Sequence, residues 1–337
     1  MSTQWVTRDF LLGDLSLQNG NVLRDARIRY QQRGDIGAAG TELVLLPTYY
    51  GGRCAGNRPL TEKGPLSNPR YTILIPALFG NGESTSPSNA PPSQRGDQWP
   101  GVSLYDAVRA QHLMLSELAG DYRLALVAGW SMGGMQSLQW GCLYPERVQR
   151  VAAWCASARC HPLNQQFLAG VSSALKADPR YRRGDVPRAG LRAFARVYAS
   201  WAYAAPFWRR QLWRELGFGS REALLSWWEQ DHLQQDAHDL LAVMDTWYSG
   251  DISDNPVFAG NYAAALRAIR APTLIMPAST DMYFVPDDIA LDAALMPDAR
   301  YQLLETDWGH CGGGPGRSAD AMQQILGALE VLLHDAA

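Results

Sequence analysis

The chain has 337 residues, 47% of them apolar, with a net charge of −3 and an isoelectric point near 6.1. A chain of this size buries roughly three quarters of its surface, and its length suits two domains or one domain with an insertion. Its charge does not favour nucleic acid or an anionic membrane, since both want a concentrated basic face.

Five cysteines, Cys54, Cys142, Cys155, Cys160 and Cys311, form no CxxC pair, so neither a disulfide framework nor a metal site is expected. MSTQWVTRDF has no apolar stretch typical of a secretory signal. No apolar run approaches the ~18 residues of a membrane span. The expected setting is the cytoplasm, and the expected partner is a small-molecule substrate rather than nucleic acid or membrane.

In chain order, residues 1–40 read as strand pairs, with Asn19-Gly20 as a hairpin turn. ELVLLP (42–47) and YTILIP (71–76) are short apolar runs ended by proline, which fit central strands covered on both faces. A helix is predicted over about 104–119, stopped by Gly120. Strand 124–128, a tight turn and helix 132–143 follow, then strand 148–157. Two further strands, 271–280 and 300–306, precede a last helix over 318–334. Strands alternating with helices predict a parallel sheet in a doubly wound α/β fold.

Residues 160–265 differ. They are helical in pattern and hold six of the twelve tryptophans, with Trp154 just before them. They read as a helical lid inserted into a core formed by 1–159 and 266–337. Most of these tryptophans are expected to be core of the helical part, because buried aromatics usually pack. A homodimer through this lid is a further expectation.

Gly129-Trp130-Ser131-Met132-Gly133 is a G-x-S-x-G sequence between a predicted strand and a predicted helix. That context fits a nucleophile elbow, a strained turn with its serine hydroxyl exposed above a helix N-terminus. A serine hydroxyl needs a base, and the base follows an acid in the order Ser…Asp…His. Asp281 follows the strand TLIMPAST, and His310 lies in the loop DWGHCGGG after the strand YQLLET. Both are thereby placed at the C-terminal edge of the sheet, where such sites lie. His112 and His334 fall within helical patterns, and His161, His232 and His238 within the lid. Backbone N–H groups of Met132 and Tyr49 are the candidate oxyanion donors. Tyr50, Trp130, Trp201 and Tyr203 are the candidate substrate-binding residues.

YDAVRAQHLMLSELAG and VAGWSMGGMQSLQWGCLYPERVQRVAAWCASAR, with NPRYTILIPALFGNGESTSPSN and RAIRAPTLIMPASTDMYFVP, resemble the homoserine O-acetyltransferase family of the α/β-hydrolase superfamily. The resemblance covers roughly residues 40–315. It implies an α/β-hydrolase fold, a mostly parallel sheet with helices on both faces, and an acyl group carried on Ser131. It also implies a lid arginine on the substrate carboxylate. The matching stretch here, YASWAYAAPFW, has Ala and Tyr instead, and Arg53, Arg58 and Arg196 are the alternatives.

Two enzyme readings follow. One is a serine hydrolase of a fairly apolar ester, which needs no cofactor. The other is an O-acyltransferase with acetyl-CoA as co-substrate. A non-catalytic binding module is a remote third. The missing lid arginine favours hydrolysis, with homoserine a poor acceptor.

Overall fold

A computed structural model describes residues 4–38 and 40–334. The strand pairs expected over 1–40 reach into residues 1–3 and 39, which lie outside the described residues. β1 (Val6–Ser16) and β2 (Val22–Arg33) form an antiparallel hairpin with Phe10 opposite Ile28. Its turn contains Asn19-Gly20, with Gly20 at φ 85° and its N–H donated to the Leu17 carbonyl.

β3 (Glu42–Leu45), β4 (Tyr71–Pro76), β5 (Leu124–Trp130), β6 (Val151–Trp154), β7 (Thr273–Met276) and β8 (Ala299–Tyr301) complete an eight-stranded sheet. The strand order is β1-β2-β4-β3-β5-β6-β7-β8. Every pairing from β4 to β8 is parallel. The last three strands are shorter than the runs predicted for them; beyond β7 and β8 the pairing continues only as an isolated bridge between Ala278 and Leu304.

The apolar strands feed two cores by the period-two rule. Val44, Ile73, Ile75, Leu126 and Ala128 face one side, where α11 (Ala319–His334) lays Ile325, Leu329 and Leu332. Leu45, Leu74 and Val127 face the other, against Met114 and Leu115 of α1 (Leu104–Ala119) and Met135 and Leu138 of α2 (Met132–Leu143). α1 starts at a capping box, with Asp106 N–H donated to Ser103 Oγ at 3.1 Å, and stops at Gly120.

Between β6 and β7 the chain is helical: α3 (Pro162–Lys176), α4 (Pro179–Arg182), α5 (Arg188–Ala202), α6 (Ala205–Arg209), α7 (Arg221–His232), α8 (Ala237–Tyr248) and α9 (Tyr262–Ala268). α10 (Pro286–Ala293) follows β7. Trp213, Trp228 and Trp247 are buried, and the ring of Trp247 stacks on Phe284 with centroids 5.5 Å apart. Trp227 is exposed. All five thiols are buried and unpaired. Among the described residues, no helix is long and apolar enough to cross a membrane.

Candidate active site

Ser131 follows the last residue of β5 and caps α2 with φ 55° and ψ −128°. This is a backbone conformation that an L-residue holds only at a cost of about 1–3 kcal/mol. The surrounding glycines account for it. A Cβ on Gly129 would lie 2.3 Å from the Gly133 carbonyl carbon, and one on Gly133 would lie 2.6 Å from the Pro47 oxygen. The turn therefore closes only where both side chains are hydrogen. The Ser131 N–H is donated to the Trp154 carbonyl at 3.0 Å, which fixes the turn to β6. Gly133→Ala should destabilise the protein by about 3 kcal/mol, the upper range for overpacking a site with no room to relax. Urea unfolding checks this, and a loss under about 0.5 kcal/mol, the range of an unremarkable surface change, would contradict the close-approach argument.

Two loops converge on the serine. Asp281 lies beyond β7, and its Oδ1 accepts the N–H groups of Tyr283 and Phe284, both at 3.1 Å. Its Oδ2 is 2.7 Å from His310 Nδ1, and His310 Nε2 is 3.0 Å from Ser131 Oγ. An ionised carboxylate only accepts, so Nδ1 carries the proton and Nε2 offers its lone pair to the serine hydroxyl. All three residues are buried.

The two loops are also tied to each other and to the sheet. Gly309 N–H is donated to Thr280 Oγ1 at 3.0 Å, and Trp154 Nε1 to the Gly313 carbonyl at 2.8 Å. Gly309, at φ 63°, lets this loop press on the helical insertion. A Cβ there would meet Ala204 N at 2.7 Å. The rings of Trp130, Tyr283 and Phe284 surround the His310 imidazole at 4.9, 4.5 and 5.3 Å.

Met132 is the first residue of α2, so no carbonyl within that helix can take its N–H. Tyr49 lies in the turn beyond β3, its ring edge-on to Trp130 at 4.5 Å. The two chain segments touch at Gly133 and Pro47, as the close approach described above requires.

A cavity of about 230 Å³ opens over the serine. Tyr49, Tyr50, Trp130, Ser131, Tyr198 and His310 are among its walls. Burial pushes the phenols of Tyr50, Tyr198 and Tyr283 up, so these groups stay neutral. A second cavity, of about 360 Å³, adjoins it and shares Tyr50, Arg53, Asp231 and Gln235. Its walls add Asp236 and Asp239. A larger cavity of about 560 Å³, beside Trp99 and His238, contains neither Ser131 nor His310.

In the adjoining cavity, burial pushes the Asp239 carboxyl up to about 6, against hydrogen bonds from the hydroxyl and N–H of Ser88. A carboxyl raised in the folded state stabilises most below its unfolded value, near 4, and loses that contribution as pH rises through 6. Asp239→Asn should therefore gain on the wild type by about 2 kcal/mol between pH 4 and pH 8, from a shift of about two pH units. Thermal melts at both pH values check it. An equal gap at each would refute it.

The structure brings Ser131, His310 and Asp281 together and puts Tyr49, Tyr50 and Trp130 on the cavity. Two expected substrate residues are corrected. Trp201 packs on Phe167 at 5.5 Å, and Tyr203 stacks on Phe207 at 4.0 Å; Ala202 between them lines the cavity instead. Successive helical residues turn by about 100°, so Tyr198 and Ala202, four apart, share the inward face of α5. The alternative arginines also sort themselves. Arg196 pairs with Glu222 and Glu229. Arg58 is donated to the Gln31 side chain and lies over Trp5. Arg53 lines both cavities. Tyr198, Tyr283 and Arg317 line the cavity without having been singled out in the sequence. Only Tyr283 had a local signal there, as the second residue after Asp281.

A family described as alpha/beta hydrolase fold matches residues 43–313. The chain is 30% identical over 334 residues to an ethyl acetate hydrolase of Pseudomonas veronii, covering 97% of this chain and 95% of that protein. It is 28% identical over 318 residues to a homoserine O-acetyltransferase of Nostoc punctiforme, covering 87% and 88%. The solved structure of an acetylester hydrolase from Corynebacterium glutamicum superposes with a TM-score of 0.91 at 29% identity, covering 98% and 96%.

Proposed function

The chain belongs to the α/β-hydrolase fold family, and on that footing we propose that it hydrolyses a small carboxylic ester through an acyl-enzyme on Ser131. The observation that carries this reading is the unbroken relay Asp281–His310–Ser131, at 2.7 and 3.0 Å, opening into a cavity of about 230 Å³.

In the proposed reaction, Ser131 Oγ attacks the ester carbonyl while His310 Nε2 takes its proton. The carbonyl oxygen becomes an oxyanion held by the N–H groups of Met132 and Tyr49, at the positive end of α2. The C–O bond to the alcohol then breaks, and His310 returns the proton to the leaving oxygen. Water next attacks the acyl-enzyme, giving its proton to His310. Collapse releases the carboxylic acid, and Ser131 recovers its proton. Asp281 keeps the imidazole in the tautomer this requires and stabilises the imidazolium. The helices between β6 and β7 act as a lid, with Tyr198 and Ala202 of α5 forming its inner wall.

Transfer from acetyl-CoA is the second reading, supported by the homoserine O-acetyltransferase relative. The charge of the adjoining cavity supports hydrolysis instead. Asp231, Asp236 and Asp239 line it with Arg53, so the phosphates of CoA would sit among carboxylates. The buried, unpaired thiols fit a reducing compartment, and we place the protein in the cytoplasm on that basis.

The test follows nitrophenol from p-nitrophenyl acetate, and free CoA from acetyl-CoA with and without homoserine. Rapid nitrophenol release with no alcohol present, and little CoA release in either case, is the expected pattern. CoA release that depends on homoserine, with kcat/KM in the ordinary enzyme range of about 10⁴ M⁻¹s⁻¹ or above, would establish the transferase instead.

A further inference from the structure

Arg317 is a cation in the cavity wall without a matching anion. It stands between the His310 loop and α11, and it lines the same cavity as Ser131 and His310. One Nη donates to Cys311 Sγ at 3.1 Å, and the guanidinium carbon lies 5.5 Å from the centre of the Trp130 ring. A Cβ on Gly314 would meet Arg317 Cδ at 2.6 Å, so the glycine gives the side chain its path. A thiol is a weak acceptor, and a guanidinium has five N–H donors in a fixed fork. Among the described residues, no carboxylate comes within 4.0 Å of it.

A half-buried cation short of acceptors is costly to hold in a pocket unless a ligand completes it. The nearby acidic group does not serve this purpose. Asp231 belongs to both cavities, whereas Arg317, Trp130, Ser131 and His310 belong only to the inner one. Asp231 also accepts a hydrogen bond from Gln235 at 3.0 Å. It stands at the junction, and the Arg317 fork stands beside the reacting serine.

We infer that the inner cavity takes small esters bearing a carboxylate, and that Arg317 is the residue that holds this carboxylate. This rests on the hydrolase reading and narrows its substrate class. A planar carboxylate matches the guanidinium fork with two parallel hydrogen bonds. The carboxylate passes the exposed Asp231, where water and salt screen charge, to reach a site where screening is weaker.

The kinetic test compares monomethyl succinate with dimethyl succinate, and acetoxyacetate with its methyl ester, on the wild type and on Arg317→Gln. The ratio of kcat/KM, charged over neutral, is the readout. It should exceed about tenfold in the wild type for at least one pair, which corresponds to 1.4 kcal/mol, and should collapse in Arg317→Gln mainly through KM. A guanidinium that merely braced the His310 loop would, when removed, slow both members of a pair alike. An unchanged ratio therefore overturns the inference, as does a wild type with no preference. The binding test needs no turnover. Calorimetry with succinate on Ser131→Ala should give a dissociation constant at least tenfold lower than on Ser131→Ala/Arg317→Gln, and equal constants overturn the assignment. If no ester is turned over at all, the hydrolase reading fails while calorimetry still decides Arg317. Arg317→Lys, which keeps the charge, should recover part of the preference.

Discussion

Ser131→Ala is expected to abolish turnover, lowering kcat by about 10⁴-fold or more, while the folded protein is retained. The size comes from serine hydrolases in which removal of the nucleophile leaves only binding and oxyanion contacts. The structure supports the second half of the expectation as strongly as the first. The Ser131 side chain makes no cap hydrogen bond to α2, and among the described residues its one hydrogen bond is to His310. The turn is held instead by backbone: Ser131 N–H on the Trp154 carbonyl, Met135 N–H on the Ser131 carbonyl, and glycines at the points of closest approach. Alanine keeps all of these. The strained φ of 55° is unchanged by the substitution, since both side chains carry a Cβ. Melting temperature and initial rate on p-nitrophenyl acetate, measured on the same preparation, decide the matter. A folded variant with a tenth of the wild-type rate would remove Ser131 from the reaction.

Asp281→Asn is expected to lower kcat by about 10⁴-fold near neutral pH, with little change in fold. The two Asp281 oxygens have different tasks. Oδ1 takes two backbone N–H groups, from Tyr283 and Phe284, and Oδ2 takes His310 Nδ1–H. An amide cannot satisfy all three donors. Its oxygen will stay with the two backbone donors, which leaves the NH₂ facing His310 Nδ1. The imidazole must then present a lone pair at Nδ1 and carry its proton on Nε2, where it cannot accept from Ser131. A neutral isostere in the equivalent position of serine proteases has this consequence and this magnitude. Steady-state rates for Asp281→Asn and Asp281→Glu, beside their melting temperatures, provide the check. If the amide variant kept more than about a hundredth of the wild-type kcat, Asp281 would not be orienting the base.

The legibility of this protein in its sequence divides along a physical line. Short-range rules carried the sheet and the relay. ELVLLP and YTILIP became β3 and β4 because an unbroken apolar run bounded by proline has few other stable settings. Ser131, Asp281 and His310 were readable because each follows a strand of one parallel sheet, and parallel strands end on the same edge. The glycines at 129 and 133 were readable because only hydrogen fits where two backbones touch. Those inferences require no knowledge of which helix lies over the site.

The cavity walls require that knowledge. Trp201 and Tyr203 look like pocket residues in sequence, yet Ala202 faces the cavity, because one residue along α5 turns a side chain by about 100°. Most tryptophans of the insertion pack in the core as their composition suggests, but it took the fold to show that Trp227 and Trp228 also line the cavity. Arg317, between the His310 loop and α11, also lines the cavity, and no spacing in the sequence relates it to Trp130, 187 positions earlier. By itself the sequence determined the fold, the placing of Ser131, Asp281 and His310 at one edge of the sheet, and the turn that presents the serine, because these follow from backbone geometry and local pattern. Tertiary structure alone decided which side chains line the cavity, because that depends on the rotation of packed helices and on contacts between segments far apart in the chain.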